Sequence, residues 1–244
     1  MNFKKNHSVY FQHLGLIDYK KAWDYQEQLF SGIIDQKLKN RDLESEDQKM
    51  TDNYLLFCQH NHVYTLGKTG DRANLLIDNG TLHEKKAAFY HINRGGDITY
   101  HGPGQLVGYP IIDLDNFVSD IHKYLRLIEE SIILTLKDYG LDGGRIEGLT
   151  GVWLDYKEKK NPRKICAIGV RTSRWVTMHG FALNVGTNLE YFDYIVPCGI
   201  DDKAVTSLRK EVGELIEMGE VEKKVKFYLG EVFDMGFVDQ VPGI

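Results

Sequence analysis

The chain has few cysteines, no long apolar stretch and no excess of positive charge. Three cysteines among 244 residues, at positions 58, 166 and 198, are too few and too scattered for a disulfide framework, so we expect a reducing, cytoplasmic location. No segment approaches the roughly 18 apolar residues of a membrane helix, and the N-terminal stretch lacks the apolar core of a signal peptide. The net charge of −5 argues against general nucleic-acid binding. We therefore expect neither nucleic acid nor membrane as a partner.

The composition that is present is typical of one globular domain. Hydrophobic residues make up 42% and charged residues 27% of the chain, and no repeat, low-complexity tract or linker divides it, so residues 1–244 are expected to form a single domain. Helical patterns occur at 18–38, 119–139 and about 218–235, and strand patterns occur at 8–14, 54–58, 87–93, 105–114, 151–156, 164–170 and 175–185. They do not follow a regular strand–helix–strand order. The pattern predicts an α+β fold with a mixed, largely antiparallel sheet and flanking helices.

Glycine is concentrated in residues 94–105, RGGDITYHGPGQ, between two predicted strands. A dinucleotide-binding turn would open a helix, whereas Pro103 interrupts this segment and a strand follows it. A phosphate-binding P-loop would end in Gly-Lys-Ser/Thr, which is missing. Two explanations remain open. The segment is an irregular connection between strands, or it is a wall where backbone approaches a flat or elongated ligand because side chains would collide with it.

The cysteines differ in their surroundings. Cys58 and Cys166 lie in apolar runs and are expected to behave as small buried hydrophobic residues. Cys198 lies in YIVPCGI, where proline and glycine define a sharp turn and leave little bulk beside the sulfur. This environment suits an exposed nucleophile, although a purely structural turn cysteine fits it equally well.

A nucleophilic cysteine needs a cation or base close by, because an ordinary thiol is mostly protonated at neutral pH. His101, His179 and Lys164 are the candidates. Two of them have an alternative interpretation: Lys164 as a solvated lysine that ends a polar turn, and His179 as a hydrogen-bonded core histidine.

Three segments in a fixed order carry a resemblance to a known family. RGGDITYHGPGQLVGYPIIDL, KICAIGVRTSRWVTMHGFALNV and PCGI, together with HVYTLGKTG at 62–70, resemble the lipoate-protein octanoyltransferases (octanoyl-[acyl-carrier-protein]:protein N-octanoyltransferases). The resemblance covers roughly residues 54–210. It implies a fold related to the catalytic domains of biotin and lipoate protein ligases. It also implies octanoyl transfer from acyl-carrier protein to a lysine of lipoyl domains, in 2-oxo acid dehydrogenase complexes and the glycine cleavage protein.

The resemblance also implies roles for individual residues. Cys198 would carry the acyl group as a thioester, and Lys164 would tune its reactivity. The acyl pocket would be lined by Arg94, Gly95, Gly96, Asp97, Ile98, Thr99, Tyr100, His101, Ala167, Ile168, Gly169, His179, Gly180 and Phe181. Since one thioester replaces another and amide formation is then downhill, neither a cofactor nor a metal is expected.

Three other functions are weighed against this one. An ATP-dependent lipoate or biotin protein ligase would share the fold but form an acyl-adenylate. A non-catalytic acyl-binding protein would need neither Lys164 nor Cys198. A cysteine hydrolase with His179 as base would release free octanoate.

Overall fold

The computed structural model describes residues 5–157, 161–196 and 204–238. Its strands are β1 (Ser8–Ile17), β2 (Tyr54–His60), β3 (Val63–Leu66), β4 (Ala88–His91), β5 (Ile98–His101), β6 (Gln105–Ile111), β7 (Gly144–Ile146), β8 (Leu149–Leu154), β9 (Arg163–Ser173), β10 (Val176–Asn184), β11 (Ala204–Val205) and β12 (Gly236–Val238). Its helices are α1 (Tyr19–Asn40), α2 (Asn79–Glu84), α3 (Ile121–Lys137), α4 (Leu208–Val212) and α5 (Met218–Phe233).

Nine of these strands form the main sheet. Eight lie in the spatial order β12-β1-β2-β6-β10-β9-β8-β7, and β11 pairs with β9. The run from β2 through β6, β10, β9 and β8 to β7 is antiparallel throughout. Parallel pairing joins β1 to β2 and to β12, and β11 to β9. The prediction of an α+β fold with a mixed, largely antiparallel sheet is confirmed.

Helices cover both faces of the main sheet. Phe30 of α1 packs in one core cluster with Leu56 of β2, whereas Ile132 of α3 packs in another with Leu55 and Phe57. Neighbouring residues of β2 enter different clusters because successive strand side chains point to opposite faces. The sheet is therefore the middle of three layers, with α1 on one side and α3 and α5 on the other.

The two longest helices, α1 and α3, begin where aspartate side chains cap them. Asp18 accepts a hydrogen bond from the Lys21 amide at the start of α1, and Asp120 does the same for the amides of His122 and Lys123 at the start of α3. Both helices lie where the sequence pattern predicts them. Among the described residues, no helix combines the length and the apolarity that a membrane span requires.

A small second sheet, with the order β4-β3-β5, lies beside the main one. Strand β3 pairs antiparallel with β5 and parallel with β4. Strand β5 falls inside the glycine-rich segment 94–105, so the segment is not one irregular connection between the strands predicted at 87–93 and 105–114. The four residues Ile-Thr-Tyr-His are β-branched or aromatic, which favours a strand, and the glycines lie on either side of it.

Candidate active site

A cavity of about 530 Å³ opens between the main sheet and segment 94–101, which includes strand β5 of the small sheet. Its walls are largely apolar, with contributions from Val107, Leu125, Trp153, Ile168 and Phe181. The volume lies within the ordinary range for a small-molecule site, as does the combination of an apolar lining with a few polar groups.

Nearly all the binding residues implied by the family resemblance line this cavity. The lining includes Arg94, Gly95, Gly96, Asp97, Ile98, Thr99, His101, Ala167, Ile168, Gly169, His179, Gly180 and Phe181, together with Lys164. Tyr100 is not part of it. It lies between Thr99 and His101 in β5 and faces the other side, where its ring stacks on Tyr191 at 5.0 Å. Cys198 lies outside the described residues.

The glycines of the segment have a packing role as well as a place in the cavity wall. Gly96 adopts φ +86, which side-chain-bearing residues rarely do. The Gly95 amide donates to the Val170 carbonyl of β9 at 2.9 Å, and a Cβ on Gly95 would lie 3.3 Å from that oxygen. The segment therefore lies with its backbone directly against β9.

The two charged residues of the segment fasten it to its neighbours. The Arg94 guanidinium donates to the Thr65 carbonyl at 2.6 Å, to the Thr65 hydroxyl at 3.0 Å and to the Gly95 carbonyl at 3.0 Å. The Asp97 carboxylate accepts from the Asn74 side-chain amide at 2.6 Å and from the Ile98 backbone amide at 2.7 Å. Both side chains thus hold the shape of the wall.

Two buried histidines, His101 and His179, line the cavity, and a third, His60, lies beside His101 with ring centroids 6.1 Å apart. Burial, together with His60 and Arg94, lowers the pKa of His101 to about 3. Burial, Arg94 and Arg171 lower the pKa of His179 to about 3, and burial lowers the pKa of His60 to about 4. All three imidazoles are therefore neutral at physiological pH, because burial disfavours an added positive charge at each of them and the Arg94 guanidinium adds to this effect at His101 and His179.

His179 combines an unusual backbone with an unpaired ring atom. Its φ is +60, and its backbone amide donates to Oε1 of the buried Gln26 at 3.0 Å. Its Nε2 is buried and has no hydrogen-bond partner among the described residues. Gln26 was missed from the sequence, because nothing in the pattern of α1 distinguishes it from the polar residues around it.

Lys164 of β9 also lines the cavity. Its Nζ is 4.5 Å from the ring centroid of Trp153, a cation–π contact. On the neighbouring strand, Val205 pairs with Lys164, and the Thr206 amide donates to the Lys164 carbonyl at 3.0 Å. Ala204 and Val205 also line the cavity. The chain therefore returns from the segment 197–203 directly beside Lys164.

The other two cysteines are placed as the sequence predicts. Cys58 and Cys166 are fully buried, do not line the cavity, and have thiol pKa values raised by burial. Neither is suited to act as a nucleophile, since only the thiolate reacts readily.

Several lining residues carried no recognisable signal in the sequence. They are Tyr19, Gln105, Tyr109, Leu125, Trp153 and Asn184. Tyr109 donates its hydroxyl hydrogen to His60 Nε2 at 2.7 Å, since His60 Nδ1 faces the Ile17 carbonyl at 2.9 Å and must carry the ring hydrogen. Across residues 5–157, 161–196 and 204–238, no three His, Cys, Asp or Glu side chains are grouped to hold a metal ion.

The chain is similar to known proteins over most of its length. Residues 18–230 match the family model of the lipoyl protein ligase A/B catalytic domain. An octanoyltransferase of Cytophaga hutchinsonii is 58% identical over 235 residues, which cover 96% of this chain and 96% of that protein.

Solved structures share the fold at much lower identity. The bipartite lipoate protein ligase of Thermoplasma acidophilum superposes with a TM-score of 0.68 at 15% identity, over 97% of this chain and 87% of that one. The biotin protein ligase of Aquifex aeolicus superposes with a TM-score of 0.51 at 12% identity, over 93% of this chain and 70% of that one. The predicted relation to both ligase folds is confirmed.

Proposed function

This chain belongs to the lipoyl protein ligase A/B catalytic-domain family, and we propose that it moves an octanoyl group from octanoyl-acyl-carrier protein to a lysine of lipoyl domains through a thioester on Cys198. The chain is an acyltransferase, as its octanoyltransferase relatives are.

One observation carries it. Lys164 lines an apolar cavity, and the chain that follows Cys198 in sequence pairs with β9 at Lys164 and lines the same cavity. This arrangement supports a cysteine and a lysine acting together at the mouth of an acyl site. Burial of six methylenes of an octanoyl chain would contribute roughly 5 kcal/mol at about 0.8 kcal/mol each.

In the first step the Cys198 thiolate attacks the carbonyl carbon of the donor thioester. A new carbon–sulfur bond forms and the bond to the carrier sulfur breaks. The departing carrier thiolate takes a proton from the Lys164 ammonium, which becomes a neutral amine. The exchange replaces one thioester by another, so it needs no energy source.

In the second step the neutral amine of the acceptor lysine attacks the acyl carbon. A carbon–nitrogen bond forms, the bond to Cys198 breaks, and Lys164 takes the proton that the amine loses. The thiolate and ammonium are thereby restored. Lys164 would act as acid in the first step and as base in the second, the usual advantage of a positioned proton carrier.

The alternative, an ATP-dependent ligase, has the same fold, so the fold does not discriminate between the two. The high identity to proteins named octanoyltransferase favours acyl transfer without adenylation.

The test is intact-mass analysis of the enzyme with octanoyl-acyl-carrier protein and a lipoyl domain, without ATP. We expect an octanoyl adduct on the wild-type enzyme and on the lipoyl domain, and neither with Cys198→Ala. Cys166→Ala is the matched control and should keep the adduct.

An adduct that survives in Cys198→Ala and disappears in Cys166→Ala would overturn the assignment of the nucleophile. Transfer that requires ATP would favour the ligase, and free octanoate without lipoyl-domain modification would favour a hydrolase.

A further inference from the structure

A chain of buried amide side chains links a cavity histidine to the backbone beside Lys164. His101 Nδ1 lies 2.8 Å from Gln105 Oε1, and Gln105 Nε2 lies 2.9 Å from Asn184 Oδ1. Asn184 Nδ2 lies 2.9 Å from the Thr206 carbonyl oxygen. These hydrogen bonds bring together one residue each from β5, β6 and β10 and the residue that follows β11, and all four are less than a tenth exposed.

The direction of each hydrogen bond follows from the acceptor at the end of the series, the Thr206 carbonyl oxygen. The Thr206 oxygen is a backbone carbonyl and can only accept, so Asn184 must turn its NH₂ towards it. The Asn184 oxygen then faces Gln105, whose NH₂ must donate. The same NH₂ also lies 3.2 Å from another carbonyl, that of Tyr100.

The oxygen of Gln105 is consequently left for His101. Because an amide oxygen only accepts, Nδ1 of His101 must carry the ring hydrogen. In a neutral imidazole the other nitrogen, Nε2, then presents a lone pair. His101 lines the cavity, and its Nε2 makes no hydrogen bond to the part of the chain that the structure describes.

The surroundings keep this imidazole neutral. The charged and titratable groups around it are Arg94, His60, His179 and the stacked ring of Tyr19 at 6.0 Å. Burial and the Arg94 guanidinium both disfavour a second proton, and the pKa of His101 is lowered to about 3. An N–H group in the cavity would therefore find an acceptor at Nε2 across the physiological pH range.

We propose that Gln105 is a positioning residue that holds His101 as a hydrogen-bond acceptor for an N–H group of the substrate. The inference rests on the proposed function, which supplies two such groups. One is an amide N–H in the pantetheine arm of the donor thioester, and the other is the ε-amine of the acceptor lysine. The same amide chain ends at Thr206, whose own amide is bonded to the Lys164 carbonyl, so Gln105 also ties the histidine to the strand beside Lys164.

The first experiment reads the tautomer directly, on the enzyme alone. Long-range ¹H–¹⁵N spectra of histidine-labelled wild type should show His101 with its hydrogen on Nδ1 from pH 5 to pH 8. Gln105→Leu should convert it to a mixture of tautomers. A wild-type His101 with the hydrogen on Nε2 would overturn the proposal.

The second experiment measures the two half-reactions separately in Gln105→Leu and Gln105→Glu. Loss of the acceptor in Gln105→Leu should slow one half-reaction on the order of tenfold, the size expected for a buried polar group left unpaired. Gln105→Glu keeps an acceptor for Nδ1 and adds a negative charge, which raises the pKa of His101, so its pH profile should gain an acidic limb. A purely structural effect would lower rates without moving the profile.

Gln26→Leu is the matched control. Gln26 is equally buried and supports another cavity histidine, but through its backbone amide rather than its ring. It should leave the His101 tautomer and the position of the pH profile unchanged.

A comparison of two acyl donors shows which substrate group supplies the N–H that His101 accepts. If only transfer from octanoyl-pantetheine slows, and not transfer from an octanoyl thioester of ethanethiol, the group is a pantetheine amide. If only amide formation slows, it is the acceptor amine. Unchanged rates for both half-reactions in Gln105→Leu would overturn the proposal. Failure of the wild-type enzyme to transfer the octanoyl group without ATP would instead refute the proposed function. The tautomer measurement on the enzyme alone would still test the role of Gln105.

Discussion

The two sides of the cavity are held in place by different forces. The glycine wall, residues 94–101, is held by the hydrogen bonds of the Arg94 and Asp97 side chains. Its strand β5 is also held by pairing with β3 and by the buried side chains of Ile98 and Tyr100. The strand wall, β9 and β10, is fastened by eight consecutive antiparallel pairs and by buried residues such as Ile165, Met178 and Leu183.

The difference separates local from global stability. Residues 94–97 of the glycine wall lie outside any strand and are held by a few polar contacts, so they open at a lower free energy than a central strand pair, which opens only with the whole fold. Lys164 lies on the strand wall, and the backbone covering the cavity lies on the glycine wall. Lys164, the group proposed to transfer protons, therefore lies on the more stable wall, whereas the glycine wall is the one that local opening can change.

The largest expected effect comes from the strand wall. Lys164→Ala should lower the rate of amide formation by about 100-fold or more, because it removes the proposed proton carrier. Lys164→Arg keeps a positive charge but does not release its proton usefully. It should keep reactivity of Cys198 towards an alkylating agent while failing in amide formation. Thiol alkylation against pH and single-turnover amide formation measure the two properties.

Lys157→Ala is the control for this pair, since Lys157 is exposed and bonds to Asp142 outside the cavity lining. It should leave both rates unchanged. Near-normal amide formation by Lys164→Arg would exclude proton transfer by Lys164 and leave only the effect of its positive charge on the nucleophile.

The second effect compares one glycine from each wall. A Cβ on Gly180 would lie 2.1 Å from the Gly108 carbonyl oxygen, inside the main sheet, whereas one on Gly95 would lie 3.3 Å from the Val170 oxygen. Gly180→Ala should lower the free energy of unfolding by about 1–3 kcal/mol or more, the usual cost of forcing atoms into packed structure. Gly95→Ala should change stability little and raise KM for the octanoyl donor. Urea denaturation and steady-state kinetics measure the two, and a larger stability loss from Gly95→Ala would reverse the proposed division between the walls.

The last effect appears only below neutral pH and concerns three buried histidines, His101 and His179 of the cavity lining and His60 beside His101. His60, His101 and His179 have lowered pKa values in the folded chain, whereas in the unfolded chain each titrates near 6.5. As pH falls below about 6.5 the unfolded chain takes up protons that the folded chain refuses, so stability declines towards about pH 4. Each histidine contributes at most roughly 1.4 kcal/mol per pH unit in that window.

Urea denaturation between pH 7 and pH 5 measures this slope. His101→Asn should remove a share of it, and the exposed His91→Asn should not. A stability that is the same at pH 5 and pH 7 would show that these imidazoles titrate alike in both states.

The sequence predicts the strand wall better than the glycine wall. Periodicity identifies β9, β10 and α3 because each pattern is long enough for apolar residues to recur. The strand β5 is missed because four residues between glycines do not reveal a register, and for the same reason Tyr100 could not be assigned to a face. Gln105 and Asn184 are 79 positions apart. Their contact depends on the pairing of β6 with β10, which no local pattern contains.

The parallel pairing of β1 with β12 has a consequence for synthesis of the chain. Ser8 pairs with Gly236, and His7 bonds to Asp234 across 227 positions of sequence. During translation the outer edge of β1 stays without this neighbour until nearly all the described chain has left the ribosome. An unpaired strand edge can join other chains, and such long-range pairing is slow to form. We therefore expect aggregation of nascent chains to be most pronounced in truncations that stop before β12.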